Sequence, residues 1–232
     1  MNNNKIIVAI DTPEEERLIE LLNDLNPDLC MIKIGSILFN SLGRRSFDLV
    51  ADKGFNIFFD IKFHDIPNTV AHSILSFKGY PINLLTVHIS GGVSMLTSAR
   101  EAAHAIKSKV IGVSLLTSLD QTDVERVFFN NIRKVADNLF DLAKEANMDG
   151  IVCSAHELKY ARKNIPNLLK IVPGIRLSSD NDDQKRVMSP REALKLGANH
   201  LVIGRPITES RHPNSELEKI LETLSVSYTH LT

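Results

Sequence analysis

The chain predicts an α/β fold of the (β/α)8, or TIM barrel, class, and three observations carry that expectation. Short aliphatic and β-branched runs recur eight times, amphipathic segments of helical period separate them, and no Pro/Gly/Ser-rich linker or composition break interrupts the alternation across 232 residues. Eight βα units of this size fit a barrel slightly below the usual ~250 residues, read here as a single catalytic domain over 1–224. A doubly wound sheet is the runner-up arrangement of the same units.

The first strand, 5–11, is a run of five apolar residues closed by Asp11, and the amphipathic segment 13–25 follows it. Strand two, 30–35, carries Lys33 just before Gly35 and leads into a helix over 36–53. Strand three, 56–62, ends in Asp60 and Lys62, ahead of a helix over 68–78. Strand four, 84–89, carries His88 and runs into Ser90, Gly91 and Gly92 before a helix over 93–107. The remaining pairs are strand 110–116 with helix 133–147, strand 150–154 with helix 156–164, strand 170–175 with helix 190–196, and strand 200–204 with helix 214–224. The tail 225–232, SVSYTHLT, has no helical or catalytic signature and is expected to be disordered or foreign to the domain.

A hydrophobic content of 43% with 24% charged residues is ordinary for a globular chain, and the formal net charge of −1 leaves no electrostatic footprint for nucleic acid. No basic helix or long apolar segment points to a membrane surface or span. Cys30 and Cys153 lie in or beside apolar strand runs without CxxC spacing, which disfavours a disulfide framework or structural zinc. MNNNK passes straight into IIVAID, leaving no room for a signal-peptide apolar region. The expectation is a reduced, cytoplasmic protein with a small-molecule partner.

In a barrel the C-terminal strand ends carry the chemistry. Asp11, Lys33, Asp60 and Lys62 converge there from three adjacent strands, and Asp60 and Lys62, two apart in an extended chain, project to one side. Asp65 completes an Asp-x-Lys-x-x-Asp array past the strand end, where its direction is open. A single such residue reads as a cap or turn, but four together read as a perturbed functional cluster. PGIR at 173–176 and the Gly204–Arg205 step of IGRP form a second signal. Glycine allows close backbone approach and arginine offers a charge-matched fork, at the strand ends where barrels frequently bind phosphate. Between them, 177–187 is polar and long for a βα connection, so a mobile lid is expected, with Gln184 able to donate to phosphate. His64 and His88 lie near strand ends but lack the convergent spacing of a metal site. Phe58, Phe59 and Met31 read as core.

Together VAID, MIKIG, FFDIKFHDIPNTVA, VHISGG, LLTSL, VCSA, VPGIR, DQKR and VIGRPIT resemble the bacterial type of the orotidine 5′-phosphate decarboxylase family, from about Ile6 to Ser210. The resemblance implies conversion of orotidine 5′-monophosphate to uridine 5′-monophosphate and carbon dioxide, with neither metal nor organic cofactor. Lys62 would protonate C6, Asp60 would sit against the departing carboxylate, and Lys33 would continue the charge network. Asp11 would bind ribose and Thr117 the pyrimidine. Gln184, Gly204 and Arg205 match phosphate contacts, and Arg176 a ligand-binding position. Residues matching Asp65 and Thr69 come from the neighbouring subunit, implying a homodimer.

Two alternatives follow from the same residues. A metal-dependent phosphosugar decarboxylase of the same barrel superfamily also resembles the Asp-x-Lys-x-x-Asp pattern, but that family looks to place a metal-binding glutamate where this chain has Lys33. A catalytically silent nucleotide-binding barrel would keep the phosphate cup without the intact charge array.

Overall fold

A computed structural model describes residues 5–155, 157–175 and 188–225. Eight parallel strands close into a barrel in sequence order: β1 (Ile6–Ile10), β2 (Cys30–Gly35), β3 (Ile57–Phe63), β4 (Ile82–His88), β5 (Lys109–Val113), β6 (Gly150–Val152), β7 (Leu169–Val172) and β8 (His200–Ile203). Closure comes from β1 pairing with β8, Ile6 opposite Leu201 and Val8 opposite Ile203, which rules out the open doubly wound sheet.

The helices between the strands are α1 (Glu15–Asp24), α2 (Ser36–Leu42), α3 (Arg45–Asp52), α4 (Pro67–Leu75), α5 (Gly92–Ala105), α6 (Gln121–Phe128), α7 (Ile132–Glu145), α8 (Leu158–Asn164), α9 (Pro190–Lys195), α10 (Arg205–Thr208) and α11 (Pro213–Ser225). The helix expected over 36–53 is two helices. Gly43, at φ +55, turns the chain in a conformation that suits glycine, and the apolar period resumes beyond it. Helix α6 was not expected. It starts at a reciprocal capping box, in which Asp120 accepts from the Asp123 backbone N–H while the Asp123 side chain accepts from that of Asp120. Helix α10 was likewise not expected, and it begins immediately after Gly204. Helix α11 extends one residue into the segment read as a tail; 226–232 lie outside the described residues.

Alternation along each strand divides the core. Ile7, Ala9, Met31, Phe58, Leu84, Ile111, Ile171 and Val202 point inward and fill the barrel. Their neighbours, including Val8, Ile32, Ile34, Phe59 and Leu85, face the helices. Phe58 and Phe59 are both core, as expected, but in different cores. Phe59 packs edge-on against Phe39, Phe47 and Phe77 at ring-centroid distances of 5.0, 4.9 and 4.9 Å. Such pairs contribute about 0.5–1.5 kcal/mol each beyond their buried area, and these three anchor the back of the strand that carries Asp60 and Lys62. Among the described residues no helix is long and apolar enough to cross a membrane.

Candidate active site

Above the apolar filling, the inward positions of the first three strands turn polar. Lys33, on β2, is almost completely buried. Its ammonium donates to Asp11 Oδ1, just past β1, at 2.9 Å and lies 3.9 Å from Asp60 Oδ2 on β3. Asp60 Oδ1 in turn accepts from Lys62 Nζ at 2.9 Å. The result is a chain of alternating sign, Asp11–Lys33–Asp60–Lys62, in which each inner charge faces an opposite charge on both sides. Lys33 and Asp60 side chains are only 11% and 14% exposed, and the alternation gives each of these nearly buried groups a partner of opposite sign.

Gly35 makes room for it. A Cβ there would stand 2.6 Å from Lys33 Nζ and 3.2 Å from Asp11 Oδ1, yet the backbone, at φ −97 and ψ −174, is one any residue adopts. The glycine is needed for space alone.

Asp60 and Lys62 reach the same side by a less regular route than simple alternation. Phe59 pairs with Leu85 and Phe63 with Val87, so Asp60, Ile61 and Lys62 face Thr86 alone on β4. Two extra residues bulge from β3 while the inward–outward parity is kept. Lys62 sits at φ +54, a left-handed conformation that costs on the order of 1–3 kcal/mol for a residue with a side chain. Its backbone N–H donates 2.9 Å to Thr86 Oγ1, and the Thr86 hydroxyl donates 3.1 Å to Asp60 Oδ1. Thr86 is fully buried and was not singled out in the sequence. The available signal was a hydroxyl within the apolar run LLTVH, since a buried hydroxyl requires a partner.

The charge chain forms one side of a cavity of roughly 470 Å³ at the C-terminal mouth of the barrel. Ala9, Phe58, Val113, Val152 and Val202 give it an apolar floor and walls, while Thr117, Gly174, Gly204 and Arg205 line the rest of its mouth. The structure thus brings Asp11, Lys33, Asp60, Lys62, Thr117, Gly204 and Arg205 to one cavity. The cavity sets an apolar floor beside a row of charges, with the Arg205 guanidinium also at its lining.

Asp65 and Thr69 do not join this cavity within the chain. Both are exposed, and the Asp65 carboxylate accepts from the Ile66 backbone N–H at 2.6 Å. Arg176, Gln184 and the lid expected over 177–187 lie outside the described residues. His64 and His88 meet at a tilt of 47°, ring centroids 5.3 Å apart. Burial first, then the neighbouring His64 and Lys62, push the His88 imidazole below its usual pKa, with Asp60 opposing. Among the described residues no group of three or more His, Cys, Asp or Glu is placed to hold a metal ion. Burial pushes the thiols of Cys30, to about 12, and Cys153 upward, which keeps both protonated and unreactive.

Residues 4–220 match the orotidine 5′-phosphate decarboxylase / HUMPS family. The chain is 43% identical to the orotidine 5′-phosphate decarboxylase of Coxiella burnetii, over 93% of this chain and 94% of that one. It is 40% identical to that of Saccharophagus degradans, over 93% of each. The crystal structure of orotidine 5′-phosphate decarboxylase from Lactobacillus acidophilus superposes with a TM-score of 0.85 at 32% identity, covering 96% of this chain and 99% of that one.

Proposed function

The chain belongs to the orotidine 5′-phosphate decarboxylase / HUMPS family and decarboxylates orotidine 5′-monophosphate to uridine 5′-monophosphate in pyrimidine biosynthesis, and we propose that Lys62 delivers the proton that replaces the lost carboxylate. The observation that carries this mechanism is the alternating chain Asp11–Lys33–Asp60–Lys62 along one side of the cavity.

Breaking the bond from C6 to the carboxylate leaves an electron pair on a ring carbon with poor delocalisation. An ammonium already fixed beside that carbon stabilises the developing charge without reorganising, because Asp60 holds it in place before the substrate arrives. Lys62 then transfers a proton from Nζ to C6 and regains one from solvent, so carbon dioxide leaves and no other reactant is consumed. Asp60 sits against the departing carboxylate. Lys33 faces the Asp60 carboxylate and orients it, and Asp11 has one oxygen on Lys33 and remains half-exposed for the ribose hydroxyls.

Enzymes lower barriers by about 8–23 kcal/mol, more than one ammonium provides. Binding energy from the phosphate must therefore contribute at the ring. Gly204 and Arg205 serve the phosphate with Gln184, Arg176 is a further ligand-binding residue, and Thr117 meets the pyrimidine. Asp65 and Thr69 act in the site of the partner in a homodimer, a reading supported by their exposure beside Ile66, an isoleucine 66% exposed at the rim. The whole of 1–224 forms one catalytic domain, and its buried free cysteines suit a cytoplasmic setting.

The metal-dependent phosphosugar alternative has the Lys33 ammonium against it. That group stands 2.9 Å from Asp11 and 3.9 Å from Asp60, where it supplies the positive charge a cation would bring and would repel one. The test is the loss of orotate ultraviolet absorbance on adding orotidine 5′-monophosphate to dialysed, chelator-treated protein. Full turnover is expected; turnover restored only by added metal would reject the mechanism, and no turnover under any condition would reject the reaction.

A further inference from the structure

We propose that Thr86 is a positioning residue for this reaction, its buried hydroxyl holding both the Asp60 carboxylate and the backbone bend that aims Lys62. The proposal rests on the decarboxylase reading given above and adds to it a residue that touches neither substrate nor reacting atom.

The geometry is a closed ring. The Lys62 backbone N–H donates to Thr86 Oγ1 at 2.9 Å, the Thr86 hydroxyl proton goes to Asp60 Oδ1 at 3.1 Å, and the same Oδ1 accepts from Lys62 Nζ at 2.9 Å. Because the Lys62 N–H and Nζ donate and the Asp60 carboxylate oxygen accepts, the single Thr86 proton is directed to Asp60, which fixes the sense of the whole ring. Oδ1 is thereby held from two directions, by Thr86 and by the ammonium. Oδ2 is turned toward Lys33 and the cavity. The hydroxyl and the two ammonium groups together orient the carboxylate.

The backbone argument is independent of the side-chain one. Three residues of β3, from Asp60 to Lys62, stand opposite the single residue Thr86. The N–H of Lys62 finds its acceptor in the Thr86 side chain, on the strand that faces the bulge. Lys62 holds φ +54 at that point, a conformation that persists in a residue with a side chain only when its surroundings enforce it. Thr86 is fully buried, so no water can take over either of its hydrogen bonds without repacking. Placing an ammonium within hydrogen-bond reach of a developing carbanion is a matter of fractions of an ångström.

The discriminating substitution is Thr86→Val, which keeps shape and burial and removes the hydroxyl, set beside Thr86→Ser, which keeps the hydroxyl. Turnover of orotidine 5′-monophosphate and binding of uridine 5′-monophosphate are measured on each full-length protein. The expected result is a kcat for Thr86→Val lower by on the order of 100-fold, with KM and product affinity close to the parent, and recovery of most of that loss in Thr86→Ser. A merely structural threonine would shift melting temperature and affect substrate and product binding alike, and would not be rescued selectively in kcat. An unchanged kcat in Thr86→Val, or equal losses in Val and Ser, overturns the proposal. If Thr86→Val does not fold, Thr86→Cys replaces it, since a thiol of similar size donates and accepts only weakly. A low kcat in Cys with a near-parent Ser supports the assignment, and equal rates in the two overturn it. Absence of turnover in the parent protein would reject the reaction itself, and the role of Thr86 with it.

Discussion

Replacing Gly35 by alanine tests the preorganised charge chain without touching any charged group. The new methyl carbon would stand 2.6 Å from Lys33 Nζ, roughly 0.8 Å inside ordinary van der Waals contact, so the ammonium must retreat by about that distance. The retreat has nowhere neutral to go, because Nζ is held 2.9 Å from Asp11 on one side and stands 3.9 Å from Asp60 on the other. Moving it loosens the constraint on Asp60, and through Asp60 the position of Lys62. Misplacement by about 1 Å costs on the order of 100-fold in rate. Stability should respond differently. Gly35 has φ −97, open to alanine, and the loss of unfolded-chain freedom would by itself stabilise by about 0.4–1 kcal/mol. A displaced, nearly buried ion pair offsets much of that gain. The expected outcome is a melting temperature close to the parent and a kcat for orotidine 5′-monophosphate lower by on the order of 100-fold, measured by orotate absorbance and by thermal unfolding. Parent-like kcat in a folded Gly35→Ala protein would refute the claim that the position of Lys33 matters to the chemistry.

Arg205→Ala should lower kcat/KM for the nucleotide by on the order of 10- to 100-fold, from loss of a charge-assisted contact of about 1.5–3 kcal/mol, and should have no further effect on orotidine lacking its phosphate. Equal losses on both substrates would remove Arg205 from the phosphate site. If Asp65 acts across a dimer interface, mixing inactive Lys62→Ala and Asp65→Ala proteins should restore roughly a quarter of parent activity, because each mixed dimer keeps one intact site. A mixture that exchanges subunits and stays inactive would put Asp65 elsewhere. The lowered pKa of His88 makes a pH prediction with a definite sign. Below about pH 6.5 the unfolded chain takes up a proton that the folded imidazole resists, so stability falls as pH falls. His88→Gln should therefore lose less melting temperature than the parent between about pH 7.5 and about pH 5.5; identical losses would contradict the assignment.

The strands were legible because a parallel barrel buries both faces of each one, leaving near-continuous apolar runs such as IIVAI and IFF ending in charge. The convergence of Asp11, Lys33, Asp60 and Lys62 followed from strand order once those runs were recognised. Helix α6 escaped because it buries only Val124 and carries its signal in the Asp120–Asp123 capping pair instead of an apolar stripe. The break at Gly43 escaped because apolar periodicity continues on both sides of it. The bulge at Asp60–Lys62 is silent in sequence for a geometric reason. Two extra residues preserve parity, so simple alternation gives the correct side for the wrong backbone. Thr86 announced a buried hydroxyl but not its partners, which lie 24 and 26 positions away. Asp65 and Thr69 could be given a role only from resemblance, since nothing in one chain brings them to the cavity.

The most direct test of the account is the turnover of Lys62→Ala set against its affinity for uridine 5′-monophosphate. If Lys62 supplies the field and the proton at C6, its loss acts in the transition state. Turnover should fall by on the order of 10⁴-fold or more, while product binding at the phosphate and ribose contacts remains measurable. A Lys62→Ala protein that binds the product and decarboxylates at a rate near the parent would contradict the assignment of Lys62 as the proton donor.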